Sequence, residues 1–220
     1  MLKGIDVSHH NTDAIITEWI LNNGQPDFVI HKLTEGKTYV DPKVYERAAL
    51  LTNCLCGFYH YARPDNNSAI NEALHFCNSL PLFTEGNSRV LFILDWEGKS
   101  LNYPFEWAVI WCNEVERITG RKPLIYASAS VIKKYADQYD LWWTAHYNPA
   151  CDDGCEHDGG VNEVMTQYTN TPIDTDIFHG NEEKWRSIGY EEVALPLHGE
   201  RLATWLDSGY EYSVWREQHV

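Results

Sequence analysis

An α/β fold, an irregular β/α barrel of TIM-like type, is what this sequence predicts, and three observations lead to it. Short apolar runs of strand length alternate with longer amphipathic stretches, and no internal repeat is present. About eight such runs can be counted, the number that closes a barrel. Most of them finish on polar or acidic groups that a core would not select. In a β/α barrel those ends converge on one face, where active sites are built. With 220 residues the chain is long enough for one domain with a sizeable core.

Taken in order, the first strand is expected over 3–6 (KGID), and a helix near 12–23 leaves it. That helix exits at Asn23-Gly24, where glycine relieves a left-handed cap. A strand at 27–33 (DFVIHKL) leads through Asp41-Pro42 into a helix near 41–53, with proline in the first turn. Strand 55–61 (LCGFYHY) precedes a helix near 67–80. Strand 89–96 (RVLFILDW) is followed, after Tyr103-Pro104, by a helix over 104–119 that stops at Gly120. Strands over 122–127 (KPLIYA), 141–147 (LWWTAHY) and 163–168 (EVMTQY) come next, with a helix near 128–136 after the first. A last short strand is placed at 172–175. The connections 148–162 and beyond 169 carry no helical pattern, which makes the barrel irregular. Residues 1–180 form the barrel in this reading. Residues 181–220, with Trp185, Trp205 and Trp215 among mixed charge, form an extension packing on it, not a separate domain.

Composition removes several function classes. Lys and Arg number 17 against 32 Asp and Glu, a formal charge of −15, so no basic stripe is available for nucleic acid. No run of 18 apolar residues exists, and no membrane insertion is expected. The opening MLKGIDVSHH carries no apolar segment of signal-peptide length, so synthesis in the cytoplasm without a signal peptide is the expectation. Of the six cysteines, Cys54, Cys56, Cys77 and Cys112 lie in apolar segments and are expected as buried thiols. The stretch CDDGCEHD (151–158) is expected as a surface loop, with a local disulfide between Cys151 and Cys155 if oxidised. Neither HExxH nor another ligand spacing appears, so no metal and no cofactor are expected. Nine Trp and 13 Tyr supply flat rings of the kind that pack on sugar faces.

The chemistry concentrates in VLFILDWEG (90–98). As a strand it puts Leu91, Ile93, Asp95 and Glu97 on one face and Val90, Phe92, Leu94 and Trp96 on the other. Two carboxylates then point together into the barrel mouth, about 6.5–7 Å apart along the backbone. Like charges that close drive one pKa up, leaving an acid beside a carboxylate, the equipment of glycoside hydrolysis.

GIDVSHHN (4–11), FVIHKLTEGKTYVDP (28–42), GFYHYARP (57–64), FILDWEG (92–98), PLIYAS (123–128), WTAHY (143–147) and TQYTNTPIDTDIF (166–178) occur in order. Together they resemble the Ch-type lysozymes, family 25 of the glycoside hydrolases, over roughly residues 3–178. The resemblance implies a flattened barrel acting on the glycan strand of bacterial peptidoglycan. The bond would be the β-1,4 link between N-acetylmuramic acid and N-acetylglucosamine. It further implies Glu97 as general acid/base, Asp95 as its partner, and Asp6 and Asp174 completing a set of four catalytic carboxylates. Tyr61, Tyr126 and Tyr147 match groove-lining aromatics. Glu35 of the TEG motif and Gln167 of the QY pair are expected to bind or position substrate.

The chain departs from the family pattern at Asp176, where Asn is frequent, at Thr166, where Trp usually precedes QY, and at His10-Asn11, His31 and Leu33. Retention and inversion both stay open at this point, since the strand spacing sits at the low edge of the inverting range. Two other functions compete with the muramidase: a non-catalytic glycan binder on the same barrel, and an N-acetylglucosaminidase or chitinase-like hydrolase. The expected setting is that of a phage or prophage endolysin, a monomer released by a holin to act at the cell wall.

Overall fold

A computed structural model of the protein describes residues 1–47, 54–65, 67–81, 84, 88–147 and 162–189. The strands β1 (Leu2–Val7), β2 (Phe28–Glu35), β4 (Leu55–Tyr61), β5 (Val90–Asp95), β6 (Leu124–Ser128), β7 (Trp142–Ala145), β8 (Glu163–Thr169) and β9 (Thr175–Phe178) form a closed ring. Closure comes from β1, which pairs in parallel with β2 and antiparallel with β9. A short strand β3 (Tyr39–Val40) returns on β2 as a hairpin outside the ring. Helices α1 (Asp13–Asn23), α2 (Lys43–Glu46), α3 (Ala69–Asn78), α4 (Glu106–Thr119), α5 (Ala129–Tyr135) and α6 (Glu182–Ser187), with a 3₁₀ turn over Gly98–Asn102, complete the described elements.

Local sequence sets the helix limits. The Thr12 hydroxyl accepts from the Ile15 N–H at the start of α1, and Ser68 caps α3 by accepting from Asn71 N–H. Gly24 (φ +86°) and Gly120 (φ +72°) end α1 and α4 at the expected places. Of the helix expected over 41–53, only Lys43–Glu46 lies within the described residues. Cys56 and Cys112 are buried and Cys54 and Cys77 half-buried, where the sequence places buried thiols. The 151–158 loop falls outside the described residues.

The last strand differs from the expectation. It runs over Thr175–Phe178 instead of 172–175, and it is antiparallel to both neighbours. Pro172 has no N–H to give a ladder, so pairing starts after it. An acid, Asp176, occupies a fully buried position within it and breaks the apolar pattern that marks a strand in sequence.

Two apolar layers follow from period-two alternation. Val90, Phe92, Leu94 and Trp96 face outward against α3 and α4, among Phe76, Trp111 and Phe105. Leu91 and Ile93 face inward with Phe28, Ile30, Leu124, Met165 and Phe178. Gly57 stands where a Cβ would come within 3.0 Å of Ile93 and 3.1 Å of Ile30, so the barrel interior is filled beside it.

At the end away from the strand C-termini, α6 contributes Trp185, fully buried between Phe28 and Phe178 at ring distances of 4.9 and 5.0 Å. Arg121, 1% exposed, fans its guanidinium onto four carbonyls: Ile188 (2.9 Å), Ser88 (2.9 Å), Trp185 (2.6 Å) and Val90. The extension expected over 181–220 is described only as far as Gly189. Arg121→Met strands those carbonyls in the interior and is expected to cost about 3 kcal/mol or more. Urea unfolding checks this, and a loss below about 1 kcal/mol would contradict the bolting role.

Candidate active site

The inward positions of successive strands meet at the mouth. Gly4 and Asp6 alternate with the outward Ile5 and Val7 on β1, and Gly57, Tyr59 and Tyr61 share the inner face of β4. Asp95 closes β5 at 8% exposure. Glu97 continues in extended conformation (φ −144°, ψ 180°), so its side chain stays on the Asp95 face while opening to solvent. The chain then turns away through Gly98 (φ +58°), where a Cβ would stand 2.9 Å from the Tyr61 hydroxyl. The Glu97 carbonyl anchors this turn by accepting from Ser100 N–H (3.2 Å) and the Ser100 hydroxyl (2.7 Å).

Asp174 reaches the site by a different route. It precedes the start of β9, not the end of a strand, and the antiparallel direction of β9 carries that start to the same mouth. The Asp6 N–H donates to the Asp174 carbonyl at 3.3 Å, fixing the two backbones together.

These residues enclose a pit of about 170 Å³, lined by Asp6, Asp95, Glu97 and Asp174 together with Tyr59, Tyr126, Trp143, Tyr147 and Gln167. Gln167 organises one wall. Its Nε2 donates to Asp6 Oδ2 (2.7 Å), and its Oε1 accepts from the hydroxyls of Tyr126 and Tyr147 (2.8 Å each). Asp95 Oδ1 is buried and receives no hydrogen bond, a bare acceptor facing the cavity.

Glu35 and Tyr61 stand beside the pit rather than in its lining. Glu35 lines a neighbouring cavity of about 620 Å³ with His9, Lys37, Tyr39 and Arg63. It is clamped by Lys32 Nζ (2.5 Å) and Arg63 Nε (2.7 Å), and the Tyr61 ring lies 5.0 Å from both cations. Burial raises the Glu35 pKa, but the two cations outweigh it and hold the carboxyl below its ordinary value. His60, next to Tyr61 at the end of β4, faces the helices. It bonds Thr34 and Glu72 at 2.8 Å each and stacks on Trp111. Tyr59 and Trp143 are lining residues that the sequence reading missed. Tyr59 shares the phase of Tyr61, which would have revealed it. Among the described residues, no group of three or more His, Cys, Asp or Glu is arranged to hold a metal ion.

The glycosyl hydrolases family 25 model matches residues 5–177. The chain belongs to that family. It is also similar to the uncharacterized Escherichia coli K12 protein YegX, 28% identical over 204 residues covering 85% of this chain and 73% of that protein. Among solved structures, the lysozyme of Streptomyces coelicolor superposes with a TM-score of 0.70 at 22% identity, over 86% of this chain and 96% of that one. The family GH25 lysozyme of Aspergillus fumigatus gives 0.69 at 23% identity, over 86% and 99%. These two likenesses bear on the fold, which they share.

As a family 25 glycoside hydrolase, the protein carries its acids in a shared electrostatic predicament. Burial and then Asp174 push Asp6 well above its ordinary value, against the hydrogen bond from Gln167. Burial and Glu97 do the same to Asp95. Glu97 is raised by burial and pulled back by Lys32, and Asp174 is raised to about 6 by burial and by Glu97.

A raised carboxylate stabilises the fold least when it is ionised. The folded state binds the Asp174 proton up to about pH 6, the unfolded chain only to about 4. Stability from this group is therefore complete below about pH 4 and is lost as pH rises through 6. Asp174→Asn is expected to melt higher than wild type at pH 7, by an advantage that grows between pH 4 and 6 and then levels. Thermal melts across that range check it; a pH-independent difference, or a lower melting point at pH 7, would contradict it.

Proposed function

We propose that this hydrolase cleaves the β-1,4 bond between N-acetylmuramic acid and N-acetylglucosamine in bacterial peptidoglycan. The observation that carries the reading is the division of labour among the acids. Glu97 is open to the cleft and held toward its protonated form, whereas Asp95 and Asp6 sit deeper. An accessible acid over buried partners is what protonation of a leaving glycosidic oxygen needs.

Glu97 donates its proton to the bridging oxygen as the bond to the anomeric carbon breaks. The carbonyl oxygen of the sugar's own N-acetyl group attacks that carbon from the opposite face, forming an oxazolinium ion. Asp95, through its bare Oδ1, or Asp174 stabilises the amide N–H and the positive charge. Water then attacks under Glu97, now a base, and the ring opens back to the N-acetyl group with net retention. Substrate-assisted routes of this type are a known departure from the two-carboxylate scheme. Tyr147, 52% exposed, offers a ring for a sugar face, and Gln167 holds Tyr126, Tyr147 and Asp6 in one array.

The names of structural neighbours support the substrate. Similar chains include a lysozyme from Streptomyces coelicolor and a muramidase from Trichobolus zukalii. The reading places the protein's work at the bacterial cell wall, as a monomer engaging one glycan strand, after synthesis in the cytoplasm and holin-dependent or other release. Free buried thiols such as Cys56 and Cys112 suit a reducing compartment before that release.

Glu97→Gln keeps the shape and removes the proton. It is expected to lower turnover on purified peptidoglycan by roughly 10²–10⁴-fold while leaving sedimentation with the wall nearly unchanged. In wild type, the alkaline fall in rate lies above the ordinary glutamate range, as the raised Glu97 pKa requires. Near-normal turnover by the Gln variant would remove Glu97 from its role, and release of no fragments by wild type would favour the binding protein.

A further inference from the structure

Beneath the pit lies a carboxyl that the proposed reaction does not use. Asp176, on β9, is fully buried and pairs in register with Gly4 of β1 and Gln167 of β8. Trp143 Nε1 donates to its Oδ1 at 3.0 Å. Its Oδ2 is buried with no hydrogen-bond partner, and the Asp6 carboxyl, held by the same Gln167 that stands opposite Asp176, is the neighbouring acid that interacts with it.

Two neighbouring carboxyl groups buried in one barrel strongly disfavour a second charge, so one of the pair is expected to keep its proton. Geometry decides which acid keeps it. Asp6 is the shallower of the two, at 7% exposure against none, and its Oδ2 already accepts from the Gln167 amide. That amide favours an ionised Asp6, while Asp176, deeper and served by a single indole N–H, is the better place for a neutral acid. The other groups acting on Asp176 push the same way: burial first, then Asp6 from β1 and Asp174 from the β8–β9 link raise its pKa, against the Trp143 bond from β7.

We propose that Asp176 is a positioning residue that carries this proton and donates Oδ2–H to Asp6 from below. Gln167 holds Asp6 from the side and Asp176 from beneath, so the Asp6 oxygens are aimed at the substrate without a cation. An Asn at this position would offer an amide N–H in place of the proposed Asp176 O–H. Loss of the Asp176 proton would remove the donor and set a second negative charge against Asp6. As a statement about catalysis this rests on the hydrolase reading above; as a statement about protonation it does not.

The test has two arms. Difference infrared spectroscopy of wild type minus Asp176→Asn, without substrate at pH 7, is expected to show the C=O stretch of a protonated carboxylic acid that the variant lacks. In peptidoglycan digestion, Asp176→Leu is expected to lower kcat about tenfold or more with KM changed less than about threefold, and Asp176→Asn to recover most of that loss. Circular dichroism confirms that the Leu variant is folded, and the Asn comparison does not depend on it. No protonated-acid band in the difference spectrum, or an Asn variant as impaired as the Leu variant, would overturn the proposal. The infrared arm decides on Asp176 whatever the wild type does to peptidoglycan.

Discussion

Mutual repulsion among five carboxyl groups, Asp6, Asp95, Glu97, Asp174 and Asp176, is the constraint on which the mouth of this barrel depends. Four of them line one small pit, Asp176 lies buried beneath it, and so closely grouped they cannot all ionise at neutral pH. In the proposed reaction, a proton retained at Glu97 is the reagent. Lys32, bonded to Glu35 and lying over the Tyr61 ring, lowers the pKa of Asp95 and Glu97 through space without neutralising them. The acids are costly to hold together, and the surrounding structure offsets that cost.

Much of that structure lies far from the chemistry. The inner layer of Phe28, Ile93, Met165 and Phe178 fills the barrel below the acids, while Arg121 and Trp185 secure its far end. Antiparallel β9 matters most. A ninth strand entering from the mouth brings Asp174 and Asp176 beside Asp6, which a parallel strand starting at the bottom would have placed at the wrong end. Near the surface, Gly98 lets the chain leave Glu97 without striking Tyr61, so the acid stays accessible while its backbone is pinned by Ser100.

The parts of this arrangement legible in the sequence are those where a single periodicity rules. The run Val90–Asp95 alternates cleanly, and its inward and outward sets fall as expected. Asp6, Asp95, Glu97, Asp174, Tyr126, Tyr147 and Gln167 do line one pit. What escaped had competing signals. In Tyr59-His60-Tyr61 each residue can serve core or cleft, and only the phase of the strand shows that His60 belongs to the buried Glu72 pair. Trp142 and Trp143 are adjacent and identical, so composition cannot say which faces in. Asp176 looked like a substitution in a motif because an acid inside a strand breaks the apolar pattern that marks strands. Its meaning came from what it touches.

The central claim is that these acids act on one bond of peptidoglycan, and the new chain ends report on it most directly. Purified peptidoglycan is digested with the wild-type protein, the fragments are reduced with borohydride, and the products are identified by mass spectrometry. Reduced N-acetylmuramic acid at the new ends is the predicted result. Reduced N-acetylglucosamine there would contradict it, moving the cleaved bond by one sugar.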